Sequence, residues 1–299
     1  MLQRNDSIDV IKGFLIICVI CGHALLGTID GNIVRYLIYS FHMPLFMFMS
    51  GYMINLSNQS KMSFRDICCK YWNRMIKAWL VAFVVFSVYQ LFRQPTLKHV
   101  FTLLYSPWYH LWYIPTLFIF IIISRFIFVR MGKRRAYFVL IAISLIWFLL
   151  DKTLPITLPR WFDFKYLPYF ALGLFFKNHY NRDLVLKPNI IFPVVYILSM
   201  FLLKLMNIRI YGIMQMFLLL IVVICYVYPV IKNDMLPKSN ILSFIGKNSL
   251  MIYLWHELPI IIFRDYVSND ILYYGLIIIL FITFIIIVKL RDVNKNICR

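Results

Sequence analysis

Three ionisable residues, Asp9, Lys12 and His23, lie on or beside one apolar run at residues 10–28. An α-helix turns about 100° per residue, so Lys12 and His23 lie within about 20° of one azimuth, and Asp9 within about 40°. At about 1.5 Å rise per residue, Lys12 and His23 stand roughly 16 Å apart along the axis. An imidazole is the side chain suited to accept a proton near neutral pH. An amine one chamber-length below it suits an anionic group. Ionisable groups at membrane depth are expensive, which makes each of them a functional candidate. The alternative is a polar stripe that only orients a helix bundle, with Asp9 and Lys12 as a boundary ion pair.

Further polar groups recur in the other apolar runs. His42 lies in Phe41-His42-Met43-Pro44-Leu45-Phe46, upstream of Ser50-Gly51. It serves there as either a structural hydrogen-bonder or a catalytic group. Pro44 has no N–H and frees a carbonyl one turn earlier; Ser50 and Gly51 permit close helix packing. His110 is flanked by Trp108 and Trp112, which form either an interfacial aromatic belt or a platform for a sugar face. Glu257 is the only glutamate in the chain, and it follows His256 directly. Seven residues separate Ser249 from His256, so a continuous helix places Ser249, Tyr253 and His256 on one face. Glu257 is suited to orient His256 or to bind hydroxyls. Lys70, Arg74 and Lys77 follow i, i+4, i+7 spacing. They are either topology charges with snorkelling stems or, with Lys12, a cationic mouth for a phosphorylated ligand. His99 and His179 read as solvated loop residues.

The elements that must position these groups follow from composition. The 299 residues are 62% hydrophobic, 18% aromatic and 14% charged, against about 45–50% apolar and about 25% charged in soluble domains. That balance excludes a soluble globule, a disordered chain and a nucleic-acid-binding domain. Ten runs have the length and apolarity of membrane helices: 10–28, 34–54, 76–93, 111–129, 135–150, 164–177, 189–206, 212–231, 242–263 and 271–289. The runs are continuous rather than alternating, so a β-barrel is not expected. The connections are short, and the expectation is one all-α polytopic bundle over residues 1–299 with no separate soluble domain. The net charge of +19 sorts by loop. With the N-terminus inside, twenty Lys and Arg residues from Arg4 to Arg299 are cytoplasmic, nine are external, and Lys12 and Arg125 fall within spans. This bias predicts both termini in the cytoplasm. Asp6 and Asp9 occupy the place of a basic signal-peptide region, so the first run is expected to be retained. Cys18-x-x-Cys21 lies within an apolar helix and reads as two small core residues, and no metal is expected.

These blocks together resemble the acyltransferase-3 family of integral membrane acyltransferases, nearest its sugar O-acetylase branch. Lys12 and His23 match a basic-x10-His signature, and the block from Phe41 through Tyr52 resembles the next one. Arg74-x-x-Lys77 is similar to Arg-x-x-Arg, and Leu111-Trp112-Tyr113-Ile114-Pro115 to Leu-Trp-Phe-x-Pro. Pro168-Tyr169-Phe170 with Gly173, and Gly246 through Ser249 to His256, complete six blocks in order. Lysine replaces arginine at positions 12 and 77, which loosens bidentate phosphate contact. The resemblance implies ten spans in a bacterial inner membrane. It implies transfer of an acetyl or other acyl group from cytoplasmic acyl-CoA to a hydroxyl of a surface carbohydrate or its lipid-linked precursor, without a metal. On that basis His23 is the expected general base, and Lys12, Lys70, Arg74 and Lys77 hold the donor. His42, His110, Trp112, His256 and Glu257 face the acceptor, and Asp9 and Ser249 orient the site. The alternative is a transporter or flippase of lipid-linked glycans; repeat symmetry and paired broken helices would mark it, and neither stands out in the sequence.

Overall fold

The computed structural model describes residues 5–93, 95–96, 110–153, 159–179, 187–206, 212–237 and 240–297. Arg4, His99 and Trp108 lie outside these. All regular structure among the described residues is helical. In chain order the main elements are α1 (Asp6–Ala24), α2 (Ile33–Tyr52), α3 (Leu56–Ser60) and α4 (Phe64–Arg93), then α5 (Tyr113–Thr153). They continue as α6 (Leu167–His179), α7 (Ile191–Leu205), α8 (213–232) and α9 (Asn240–Lys247). The last three are α10 (Ser249–Trp255), α11 (Glu257–Tyr266) and α12 (Asp270–Ile297). Among the described residues, four stretches are long and apolar enough to cross a membrane: Asp6–Ala24, Phe64–Arg93, Tyr113–Gly132 and Met214–Lys232. Shorter apolar helices cover Arg135–Trp147, Ile191–Leu205 and Asp270–Ile286.

Local chemistry explains most boundaries. Asn5 caps α1 by accepting the Ile8 N–H at 3.1 Å, and Ser63 with Asp66 forms a capping box at the start of α4. That cap starts α4 twelve residues before the expected run at 76. The helix continues through a π turn at Trp72–Ile76, so Lys70, Arg74 and Lys77 are not on the regular α-helical stripe that their spacing implies. Gly132, at φ 74°, divides α5 into two apolar stretches. The sixth run is a helix of only 13 residues, α6; Lys165 precedes it in a 3-10 turn and pairs with Asp163 at 3.0 Å. The ninth run is not one helix. It breaks at Asn248 and again at His256. Pro259 has no N–H to offer the Trp255 carbonyl, so the ladder restarts at Glu257.

The chain forms two compact units, Met1–Ile38 with Asp234–Arg299, and Tyr39–Asn233. In the first, α1 packs chiefly on α9 and then on α10 and α11. A Cβ on Gly13 would collide with the Leu242 backbone, and one on Gly246 with the Asp9 carbonyl. The two backbones therefore touch directly, and only glycine fits at either point. Ser7 anchors the lower end of α1. Its N–H donates to Asp234 Oδ1 at 2.7 Å, and its Oγ accepts the Leu236 N–H at 3.0 Å.

In the second unit, Gly51 and Gly173 make the same kind of crossing between α2 and α6: Gly51 meets the Phe170 carbonyl and Gly173 the Phe48 carbonyl. Helix α2 runs through Pro44, which leaves the Ser40 carbonyl without its helical donor. Tyr196 Oη donates to that carbonyl at 3.0 Å and Gln215 Nε2 at 2.6 Å. A buried carbonyl so released has to find partners inside the protein.

Candidate active site

The Gly13–Gly246 crossing fixes α1 against the broken segment that follows α9. One consequence is that His23, on α1, faces Glu257, the first residue of α11. His23 Nδ1 lies 2.5 Å from Glu257 Oε2. The Glu257 side chain is 3% exposed and that of His23 14%, so the carboxylate is sealed while the imidazole keeps an opening. A carboxylate only accepts, so Nδ1 carries the proton in this bond and the basic lone pair is on Nε2. The His256 ring stands 5.2 Å from the His23 ring, edge-on at 64°. Its Nδ1 donates to the Tyr253 carbonyl at 2.8 Å, and its Nε2 is 3.8 Å from Glu257 Oε2.

The end of α1 is held by side chains from the same unit. Arg264 donates to the His23 carbonyl at 2.5 Å, and Tyr273 Oη to the Ala24 carbonyl at 2.9 Å. Arg35 Nη1 donates to the Leu25 carbonyl at 3.3 Å and also to the Gly27 carbonyl. A helix ends with carbonyls that have no intrahelical donor, and these three side chains satisfy them while pinning His23. Arg264 is one of the nine basic residues that the charge count assigns to external loops, and Tyr273 carries no signal in the sequence. A signal for Arg264 was present, since it follows Glu257 by seven residues, two turns along one helical face.

Asp9 is buried at the α1–α9 crossing, with its backbone against Gly246. Lys12 is half-buried on the same helix, and Ser249 is buried at the start of α10. Cys18 and Cys21 are free thiols, one buried and one exposed. The described ligand atoms of His23, His256 and Glu257 all lie within 4.8 Å of one another, a grouping able to hold a metal ion. Ligands about 2.0–2.1 Å from a tetrahedral zinc stand roughly 3.4 Å apart. The 2.5 Å His23–Glu257 contact is a direct hydrogen bond between two members of that grouping, shorter than the about 2.7–2.9 Å of a usual charge-assisted N–H···O bond.

The remaining expected residues belong to the second unit. His42 is buried with its ring 5.1 Å from Tyr39, and His110 is buried 5.2 Å from Phe86. Trp112 stacks on Tyr166 at 5.0 Å and 16°, which covers one indole face. Tyr113 Oη and Ser50 Oγ share a hydrogen bond of 2.7 Å. Lys70, Arg74 and Lys77 are exposed on α4. Arg125, a cation within an apolar helix, donates to the carbonyls of Gln59 at 3.3 Å and Met62 at 2.6 Å. His23, His256 and Glu257 meet within the first unit, and His42 and His110 belong to the second.

The chain is thus a helical membrane protein with a carboxylate-bonded histidine near a helix end. The family model described as an acyltransferase domain matches residues 5–290, across both units. The chain belongs to the acyltransferase-3 family. No curated protein and no solved structure matches it.

Proposed function

We propose that this membrane acyltransferase transfers an acyl group from cytoplasmic acyl-CoA to a hydroxyl of a surface carbohydrate or its lipid-linked precursor. The proposal includes about ten spans, cytoplasmic termini and a bacterial inner membrane, with the nearest likeness in the sugar O-acetylases. The observation that carries it is the 2.5 Å bond between His23 Nδ1 and the sealed Glu257 carboxylate. Glu257 fixes the tautomer, and His23 Nε2 takes the proton of the acceptor hydroxyl. The hydroxyl oxygen attacks the thioester carbonyl carbon, a C–O bond forms, and the C–S bond breaks. The proton held on His23 passes to the departing CoA thiolate. A positioned base of this kind contributes about 10²–10⁴-fold.

Glu257 becomes a positioning residue for His23 in this scheme rather than a direct sugar ligand. Lys12, Lys70, Arg74 and Lys77 supply cations for the donor phosphates, and the roughly 16 Å from Lys12 to His23 suits an extended thioester arm. His42, His110, Trp112 and His256 serve the acceptor, and Asp9 and Ser249 the local geometry. Mass spectrometry of the surface glycan, with and without the gene, tests the reading. Loss of an acyl group from an otherwise intact glycan is expected. Loss of the whole glycan from the surface would instead mark a transporter.

A further inference from the structure

The first unit contains a cavity of about 420 Å³ with His256 in its lining. Ile20 of α1 forms one side, Ile252 and Trp255 of α10 another, and Ile277, Phe281 and Phe284 of α12 a third. His256 and Thr283 are the polar residues on this wall, and both direct hydrogen bonds to their own backbone. Thr283 Oγ1 donates to the Ile279 carbonyl at 2.8 Å, and His256 Nδ1 to the Tyr253 carbonyl at 2.8 Å. A charged or hydroxylated ligand would find few partners here, whereas hydrocarbon would lose nothing by entering.

We propose that this cavity receives the acyl chain of the donor, and that the transferred group is an aliphatic chain longer than acetyl. This rests on the acyl-CoA reading above. Position decides between sources of hydrocarbon. The acyl carbonyl is the reacting atom at His23, so its chain begins one bond away from the chemistry. In a lipid-linked acceptor, at least a sugar and its linkage separate the reacting hydroxyl from the lipid. The cavity is lined by His256, whose ring is 5.2 Å from that of His23, and by Ile20 of α1, one turn from His23. Size points the same way. A methyl group is about as large as a water molecule, whose share of liquid volume is about 30 Å³; acetyl would leave most of the cavity unfilled. An apolar wall also selects against a dicarboxylic chain such as succinyl.

The test uses the full-length protein in phosphatidylethanolamine–phosphatidylglycerol nanodiscs, titrated with CoA and with acetyl-, butyryl-, hexanoyl- and octanoyl-CoA. Affinity is expected to rise about fourfold per methylene beyond acetyl, and then to level off. Ile277→Trp, which fills the cavity, flattens that rise; Phe281→Ala, which enlarges it, moves the plateau to longer chains and serves if the first variant fails to fold. A flat chain-length series in the wild-type protein overturns the proposal. So does a rise unchanged by both substitutions, since the chain would then be partitioning into the bilayer. If CoA and acetyl-CoA both fail to bind, the acyl-CoA reading itself falls; if they bind and only the rise is missing, that reading stands and the chain pocket does not.

Discussion

The two units use the same packing device to different ends. In each, a pair of glycines lets two helices meet backbone to backbone: Gly13 with Gly246 in one, Gly51 with Gly173 in the other. Above the first crossing the structure places a hydrogen-bonded histidine and carboxylate, with the helix end tied down by Arg264 and Tyr273. Around the second it places stacked rings, Phe176 on Tyr228 at 4.1 Å and Trp112 on Tyr166 at 5.0 Å. A proline in a helical run also acts differently in the two. Pro44 leaves α2 continuous, because Tyr196 and Gln215 take over the carbonyl it releases. Pro259 accompanies a restart, and that restart turns Glu257 toward His23. Close packing builds rigidity in both units, and in the first it sets a histidine against a buried carboxylate.

Substitutions should separate these roles, beginning with the largest effect. His23→Ala is expected to leave only a small residual rate of acyl transfer, about 10²–10⁴-fold down, while the protein still inserts; glycan mass spectrometry together with membrane fractionation checks it, and near-normal acylation would remove His23 as the base. Glu257→Gln should lower kcat by about 10²–10⁴-fold with little change in KM, since the amide no longer enforces the tautomer. A KM effect alone would return Glu257 to sugar binding. Gly246→Ala drives a methyl into the Asp9 carbonyl, and overpacking of this kind costs about 1–3 kcal/mol. It should lower both stability and kcat, whereas Gly173→Ala lowers stability, read by thermal melting in detergent, with a smaller effect on kcat per folded molecule. Arg74→Ala should raise the KM for acyl-CoA several-fold, consistent with one exposed cation–phosphate contact; a defect confined to the sugar step would contradict that role. Gln215→Leu should be mildest, about 1 kcal/mol, because Tyr196 still serves the Ser40 carbonyl.

Much of the site was readable one helix at a time. The Asp9–Lys12–His23 stripe follows from helical periodicity, and Glu257 drew attention as the single glutamate beside a histidine at membrane depth. Pro44 announced a released carbonyl. What periodicity does not carry is partnership across the chain. His23 and Glu257 are 234 residues apart, and their contact depends on two helix breaks in a run that reads as continuous. The partners of the Ser40 carbonyl, and Arg264 and Tyr273 at the end of α1, are equally long-range. The π turn in α4 was hidden for another reason: its residues have ordinary helical character, and the extra residue in the turn leaves no compositional mark. Glycines were partly legible. Gly51 read as a packing position, but the opposing backbone at Phe170 became visible only in three dimensions.

In the proposed mechanism Glu257 acts through His23. A double-mutant cycle tests it most directly, with acyl transfer to the native glycan measured in membranes carrying wild-type protein, Glu257→Gln, His23→Ala and the double variant. Groups acting as one unit are strongly non-additive. The double variant should therefore be no slower than His23→Ala alone. A double variant slower than His23→Ala by the full Glu257→Gln factor would show that the two residues act independently and would contradict the account.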